Sequence, residues 1–406
     1  MKQDRSSPGA LTRSSTVLLL GVLTFIFSLT ACKTEHRSAS VLDADTQQAD
    51  SAVAEVLEDT HPDGVTACDD RECGYLENGA SCGACSVQKA GMISTYCDDG
   101  AGFCQQLGPN CGNEWCVVPA GTFEGGRPTE GGVSSVDSYP THDIVLTRSF
   151  LIQQTEVTQG QWMELMATNP SPFAACGLDC PVSGALTYFD VLEFANRLSE
   201  RDGLPHCYDL KGCTTLPGAD HGRECESTLA VGADCHGYRL PSENEWEHAA
   251  RAGTPYCWPW GPIEDVAYDC IDYPEFSGLL WYCGNSAVTY DGCVDLSSQG
   301  PTAPTCAGVH PVATKSSNRL GLSDMNGNVY EFTATLWEDT SGVGVVVDGG
   351  YSPLIRNGDG VTIRGGSYGQ VAGYTCSSFR TATAVGRVVN GDWTGLFGFR
   401  LVRTLE

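Results

Sequence analysis

Cysteine is the residue that most constrains how this chain can fold. The sequence contains 21 cysteines among 406 residues. Apart from Cys32, eight lie between Cys68 and Cys116 and twelve between Cys176 and Cys376. Both counts are even, as expected when every member of a group is paired. Disulfides form and persist outside the cytoplasm, so the pattern predicts an exported protein whose loops are held together by disulfide bonds.

Residues 1–31 are typical of a signal peptide. A basic start precedes an apolar run over residues 17–29, which is shorter than the roughly 20 residues that a membrane-spanning helix needs. The run ends in Leu29-Thr30-Ala31-Cys32, which resembles a bacterial lipobox, and an ordinary signal peptide with a chance cysteine is the alternative. We predict a lipid on Cys32 that anchors the protein to a membrane. Lys33 replaces the aspartate that often retains lipoproteins at the inner membrane, so the predicted location is the cell envelope, at the outer membrane.

The chain is strongly acidic, with a formal net charge of −27. A surface of this charge repels phosphate backbones, so nucleic acid is not expected as a partner. The same charge favours solubility and the binding of divalent cations.

Composition divides the mature chain into three parts. Residues 32–66 are rich in Ala, Ser, Asp, Glu and Gln, which predicts a disordered tether. Residues 67–114 are dense in cysteine and poor in large apolar groups, which predicts a small module stabilised by disulfides. Its CxxC, Cys82-Gly83-Ala84-Cys85, has no second pair at zinc spacing, so zinc is not expected. Residues 115–406 are typical of a globular domain.

Apolar periodicity predicts three helices in this domain. They cover residues 157–167, 186–198 and 243–252, and the third begins with a capping box formed by Ser242 and Glu245. Cysteines in a polar insertion after the second helix are interpreted as two local disulfides, and two earlier cysteines either pair with each other or with distant partners. The insertion contains Cys207, Cys213, Cys225 and Cys235, and the earlier two are Cys176 and Cys180.

Six short segments follow one another in fixed order along this domain. They are WCVVPAGTF at 115–123, TEVT at 155–158, GYRLPSENEWE at 237–247, GLSDMNGNVYEF at 321–332, RGGSY at 364–368 and GFR at 398–400. Together they closely resemble the sulfatase-modifying factor family, whose best-known members are the formylglycine-generating enzymes. The resemblance implies an α+β, C-type-lectin-like fold with long ordered loops and little regular secondary structure.

Formylglycine-generating enzymes oxidise a cysteine of a sulfatase with a copper(I) ion held by two thiolates, which are the soft ligands that copper(I) prefers. In the family the first thiolate follows the Gly-Gly-Ser-aromatic segment by two residues and the second comes five residues later. Those positions hold Gln370 and Thr375 here. Cys376 is one place away, and the even cysteine count indicates that it is already paired. Copper is therefore not expected.

A second oxidative branch of the family, the ergothioneine-type sulfoxide synthases, uses iron held by histidines. The eight histidines of this chain show no spacing of that kind, so iron is not expected either. His248 lies beside core positions of the third predicted helix and is interpreted as a packed or hydrogen-bonded residue.

Calcium is the metal that the resemblance favours. One family site maps onto the side chains of Asp324 and Glu331 and the carbonyls of Gly327 and Val329, a set of hard oxygen ligands around a turn. The alternative is that the two carboxylates cap turns or pair with arginines. A second family site maps onto Asn285, Ser286, Asp291 and Cys293, where Ser and Cys contribute carbonyls.

Several charged residues inside these six segments could be mistaken for catalytic groups. We interpret them instead as buried ion pairs that tie loops to the short sheet. They are Arg239, Glu245, Glu247, Arg251, Arg364 and Arg400. Gly365 and Gly366 are expected to form a tight turn or to allow a close backbone approach.

Three functions remain open at this point. The first is a calcium-stabilised binding or scaffold module for a protein or peptide ligand, the second a modifying enzyme with unrecognised residues, and the third a true formylglycine-generating oxidase. The first is favoured, because the loop over residues 368–393 contains residue types that make adaptable contacts. The candidate binding face consists of Ser367, Gln370, Tyr374, Thr375, Arg380 and Trp393.

Overall fold

The structure is a computed structural model of the 406-residue chain. It describes residues 95–98, 103–106, 111–126, 141–184, 186–215, 222–263, 269–338, 345–385 and 395–405. The predicted signal peptide, Cys32, the predicted tether and most of the predicted cysteine-rich module lie outside these residues, as does Trp393. No helix in the described part of the chain is long and apolar enough to cross a membrane.

Three α-helices lie in the described residues, and all three were predicted. They are α1 Gln159–Met166, α2 Tyr188–Arg201 and α3 Glu243–Arg251. Each begins with a capping box, in which a Ser or Thr accepts from the third helical residue while that residue's side chain accepts from the cap's backbone. Helix α2 begins two residues later than predicted, because Thr187 is its cap. The predicted box of Ser242 and Glu245 is confirmed.

Short strands form most of the remaining regular structure. In chain order the described strands are β1 Thr95–Asp98, β2 Phe103–Gln106, β3 Cys111–Gly112, β4 Trp115–Val118, β5 Gly121–Gly125, β6 His142–Leu146, β7 Phe150–Gln153, β8 Tyr208–Lys211, β9 Thr214–Thr215, β10 Arg223–Glu224, β11 Ser227–Ala230, β12 Tyr330–Leu336, β13 Val346–Val347, β14 Leu354–Arg356, β15 Gly360–Arg364, β16 Arg380–Ala384, β17 Phe397–Gly398 and β18 Val402–Thr404. The fold is α+β with long irregular connections, as predicted.

The sheet with the order β16-β15-β12-β17 contains parts of three of the six segments that carry the family resemblance. Strand β12 pairs antiparallel with β15 and parallel with β17, and β15 pairs antiparallel with β16. In this register Glu331 lies opposite Arg364, and Arg364 lies opposite Arg380. The remaining sheets, β18-β7-β4-β3, β13-β6-β5 and β14-β11-β8, with the pairs β1-β2 and β10-β9, are small.

Helix α3 is packed against β5, β12 and β15. Its Trp246 and Ala249 are fully buried in an apolar cluster that also contains residues of β4, β6 and β7. A larger apolar cluster surrounds α2 and extends to β12 and β15. The polar side of α3 therefore faces the sheet rather than water, and its charged residues must be neutralised inside the protein.

Seven disulfides pair every cysteine from Cys111 to Cys376. They are Cys111–Cys116, Cys176–Cys180, Cys207–Cys235, Cys213–Cys225, Cys257–Cys376, Cys270–Cys283 and Cys293–Cys306. The two local disulfides of the polar insertion are confirmed, and of the two alternatives for Cys176 and Cys180 the structure shows the mutual pair. Cys257–Cys376 joins residues 119 positions apart.

Candidate functional site

Glutamates on α3 form the centre of a buried ion-pair network. Glu243 contacts Arg380 at 2.9 Å and Arg364 at 3.3 Å, and Glu247 contacts Arg251 at 2.8 Å and Arg364 at 3.0 Å. Burial alone would raise the pKa of Glu247, but the two arginines hold it below its ordinary value. The network joins α3 to β15 and β16, so these pairs connect the helix to the sheet, whereas the sequence predicted that they tie loops to it.

Two further ion pairs involve residues of the six segments that carry the family resemblance. Arg239 and Glu245 are 2.9 Å apart, and the hydroxyl of Tyr351 contacts both. The guanidinium of Arg400 binds both carboxylate oxygens of Glu331 at 2.8 Å. All these groups are buried or nearly so. The interpretation of the charged residues as structural ion pairs is therefore confirmed.

The positions at which the family holds copper are occupied by ordinary packing groups. Thr375 is buried, donates its hydroxyl to the carbonyl of Ala372 at 2.7 Å and accepts from the indole of Trp258 at 3.1 Å. Gln370 is half-buried, and its main-chain carbonyl accepts from Cys283. The adjacent Cys376 is in the disulfide with Cys257. The described residues therefore place no thiol here.

The predicted binding face is only partly a surface. Ser367, Thr375 and Arg380 are buried, so a partner cannot touch their side chains directly, and their inclusion in the face is corrected. Gln370 and Tyr374 are half-buried and border solvent. These two residues remain as the described part of the candidate face.

Arg380 was predicted to lie on this face, and its environment explains why it is instead structural. Besides the ion pair with Glu243, its guanidinium lies 4.3 Å from the ring centre of Trp337 and donates to the carbonyl of Glu338. A sequence pattern does not show that an arginine on a strand points inward. Substitution of Arg380 is expected to destabilise the domain, in contrast to a residue that only contacts a partner.

The first predicted calcium site has a different arrangement from the one that the resemblance implies. Both oxygens of Glu331 are engaged, by Arg400 and by the indole of Trp246 at 2.8 Å. One oxygen of Asp324 accepts from the backbone of Ala313. Burial raises the pKa of Asp324 to about 6, and Glu331 adds to this effect. The alternative pairing with an arginine is thus realised for Glu331 and not for Asp324.

The turn between these two carboxylates has an unusual backbone. Asp324, Gly327 and Asn328 all have positive φ, at 58°, 94° and 57°. A side chain at Gly327 would collide with the carbonyl of Trp281, which explains the glycine. Gly366 is likewise required, because a side chain there would meet the backbone of residues 374 and 375. The expectation of a close backbone approach at the Gly-Gly pair is confirmed.

Sequence reasoning missed Glu156, which the fold places next to this turn. Glu156 is 0% exposed and neither of its carboxylate oxygens has a hydrogen-bond partner. Burial raises its pKa well above the ordinary value, and Asp324 adds to the increase. The signal available in the sequence was its place in the segment TEVT, but nothing there indicated burial. An unpartnered buried carboxylate fits a bound cation.

The second predicted calcium site shows local hydrogen bonding. The side chain of Asn285 accepts from the backbone of Tyr282 and donates to Leu280, and the carbonyl of Ser286 accepts from Gly308. Asp291 is exposed, and Cys293 is in its disulfide with Cys306. Across the described side chains, no group of three or more His, Cys, Asp or Glu residues could hold a metal ion. A calcium site built from these described residues therefore needs further oxygens, from the main chain, from amide or hydroxyl side chains, or from water.

Two open cavities lie at opposite ends of α3. One of about 380 Å³ is lined by Phe123, His248, Arg251 and Thr254, and the other, of about 390 Å³, contains Glu243, Asn244, Glu338 and Tyr351. His248 packs on Phe123 and lies 3.2 Å from the carbonyl of Pro119, and burial lowers its pKa. It is packed and hydrogen-bonded, as interpreted from the sequence.

The α+β architecture, the capped α3 and the buried arginine–glutamate pairs define a domain of the formylglycine-generating enzyme fold. Residues 105–405 match the sulfatase-modifying factor enzyme 1-like domain, and the chain belongs to this family.

Relatives within the family differ in their described roles. Over 215 residues, 52% of this chain and 69% of the relative, the sequence is 31% identical to the Chaperone protein LppX of Paenibacillus barcinonensis. Over 99 residues, 24% of this chain and 27% of the relative, it is 37% identical to the formylglycine-generating enzyme of Mycobacterium tuberculosis. Among solved structures, Treponema denticola variable protein 1 is similar with a TM-score of 0.53, 23% identity and coverage of 72% of this chain and 95% of that chain. This last likeness shows the fold alone.

Proposed function

We propose that this protein is an exported, lipid-anchored binding or scaffold module of the sulfatase-modifying factor family, stabilised by calcium and without copper oxidase activity. The observation that carries the proposal is the chemistry at residues 370 and 375. Two thiolates are needed to hold copper(I), and the chain offers an amide and a hydrogen-bonded hydroxyl. The lipid on Cys32, the envelope location and the outer membrane are parts of the proposal that the N-terminal sequence supports.

The similarity to a chaperone supports a role in holding another protein. The alignment with that relative, which is named a chaperone, covers 52% of this chain. In the proposed arrangement the tether extends the domain from the membrane, and the half-buried Gln370 and Tyr374 mark the surface that contacts the ligand. The partner is a protein or peptide of the same compartment.

Site-specific crosslinking tests this surface. A photoreactive phenylalanine analogue in place of Tyr374 should give a discrete adduct in intact cell envelopes, because the new ring occupies nearly the volume of the old one. The matched control places the same analogue at Leu178, which is 58% exposed and outside the candidate face. Adducts of equal yield at both positions, or none at Tyr374, would contradict the binding face.

Copper chemistry supplies an independent test. The mature protein is expected to hold no copper and to leave the cysteine of a Cys-x-Pro-x-Arg peptide unchanged under oxygen. The double variant Gln370→Cys with Thr375→Cys should gain copper(I), measured by a chelator competition, whereas Gln370→Cys alone should not, because one thiolate does not make the site. Turnover of the peptide by the unmodified protein would sink the proposal.

The alternative is an enzyme of the same family, either a formylglycine-generating oxidase or a modifying enzyme without copper. The 37% identity to the mycobacterial enzyme favours this alternative over the 99 residues that align. The copper and peptide measurements above separate the oxidase from the binding module. A modifying enzyme would instead change the mass of a crosslinked partner, which mass spectrometry of the adduct detects.

A further inference from the structure

The carboxylate of Glu156 is the most anomalous charged group in the described part of the chain. It is fully buried, and neither oxygen accepts a hydrogen bond, although every other buried carboxylate named above has at least one donor. Removing an ionised carboxylate from water without a partner is strongly unfavourable. Such a group either binds a cation or takes up a proton. The surroundings of Glu156 decide between these two outcomes.

The neighbouring main chain brings Glu156 and Asp324 together. The backbone N–H of Ser323 donates to the carbonyl of Gln154 at 2.9 Å, and Arg400 bridges the same two segments by donating to the carbonyls of both residues. Glu156 lies two residues after Gln154, and Asp324 is the residue after Ser323. Both are buried, and after burial itself the charge of Asp324 is the next largest factor that raises the pKa of Glu156.

Arg400 is the nearest cation, and it has no donor left for Glu156. A guanidinium has five N–H groups. Two bind the oxygens of Glu331, and three bind the carbonyls of Gln153, Gln154 and Ser323. The second donor to Glu331 is the indole of Trp246. Glu331 is therefore neutralised, whereas Glu156 and Asp324, when both are ionised, carry two negative charges and accept one hydrogen bond, from Ala313.

We propose that Glu156 and Asp324 bind one calcium ion between them, and that Glu331 is the anchor of Arg400 and not a ligand. Calcium accepts carboxylate and main-chain oxygens in a flexible shell, and the left-handed residues of the turn after Asp324 orient its carbonyls differently from a regular strand. Two carboxylates supplemented by main-chain oxygens agree with the lack of any three-residue His, Cys, Asp or Glu cluster among the described side chains. The inference rests on the calcium part of the proposed function.

The test compares three variants of the mature full-length protein by thermal unfolding and by calcium titration against a fluorescent chelator. Calcium should raise the Tm of the unchanged protein, because it binds the folded state. Glu156→Gln and Asp324→Asn should lose this shift, with affinity weaker by roughly tenfold or more. Glu156→Gln should also melt no lower than the unchanged protein in chelator, since it removes an unpaired charge. Glu331→Gln should melt lower with and without calcium but keep the shift.

The outcomes distinguish this inference from the broader proposal. If Glu156→Gln keeps the full calcium shift, Glu156 is a neutral carboxyl group and the inference is wrong, while calcium stabilisation stands. If Glu331→Gln loses the shift, Glu331 is a ligand and its exclusion fails. If the unchanged protein does not respond to calcium, both calcium proposals fail, and the crosslinking and copper results still bear on the binding module. Should Glu331→Gln not fold, the titration of Glu156→Gln and Asp324→Asn decides alone.

Discussion

Replacement of Arg400 by methionine is expected to lower the free energy of unfolding by about 3–5 kcal/mol. The methionine side chain fills much of the same space but donates no hydrogen bond. Glu331 is then left as a buried charge with one neutral donor, Trp246. Three main-chain carbonyls also lose their donor, because Arg400 binds residues 153, 154 and 323. The measurement is urea denaturation of the mature protein, followed by tryptophan fluorescence.

A matched surface pair separates burial from the loss of an arginine. Arg148 contacts Asp234 at 2.6 Å, but the two side chains are 49% and 75% exposed. Arg148→Met should therefore cost less than ~1 kcal/mol. Combining Arg400→Met with Glu331→Gln should recover part of the loss, because the uncompensated charge is removed. If Arg400→Met and Arg148→Met lower the free energy of unfolding equally, the buried pair contributes no more stability than the exposed pair.

Removal of the Cys257–Cys376 disulfide is expected to cost about 4–5 kcal/mol when both cysteines are replaced by alanine. The bond joins residues 119 positions apart, so its loss releases a long loop in the unfolded chain. It also holds Cys376 within the larger apolar cluster, to which Trp258 belongs as well. Denaturation under non-reducing conditions measures the effect.

The short disulfide between Cys176 and Cys180 provides the control. Its residues are 4 positions apart, and the same chain-entropy argument gives about 2 kcal/mol for its removal. If the two double variants lose equal stability, loop closure is not what the long disulfide contributes. The single change Cys257→Ala has a further use, since it frees the thiol of Cys376. It should still give no copper site, because Gln370 supplies no second thiolate.

Much of the fold could be predicted from the sequence because the relevant signals are local or pairwise. The three helices follow from apolar spacing and from caps such as Ser242, which act within one turn. The two disulfides of the polar insertion follow from the proximity of their cysteines in the chain. The buried ion pairs were inferred from charged residues inside the six segments that carry the family resemblance, because a buried charge is stable only with a partner. The family resemblance then supplied the order in which these pieces pack.

The sequence alone did not decide which polar residues face solvent. Arg380 and Thr375 lie in a loop-rich stretch of contact-forming residue types, yet both point inward, because β16 pairs with β15 and the turn after Gly366 folds against the core. Side-chain direction in such a stretch depends on long-range pairing, which composition does not encode.

The sequence by itself determined the family of this protein, its reliance on disulfide bonds to hold the loops together, and the lack of cysteine at residues 370 and 375. What only the tertiary structure decided is which carboxylates are neutralised. Glu331 and Glu156 both lie in the segments that carry the family resemblance, and nothing in the sequence indicates which of the two is neutralised. The fold directs the five donors of Arg400 toward Glu331 and three carbonyls, and leaves Glu156 without a hydrogen bond. Because a hydrogen bond requires contact in space, the assignment of partners among residues about 70 to 250 positions apart belongs to the folded chain.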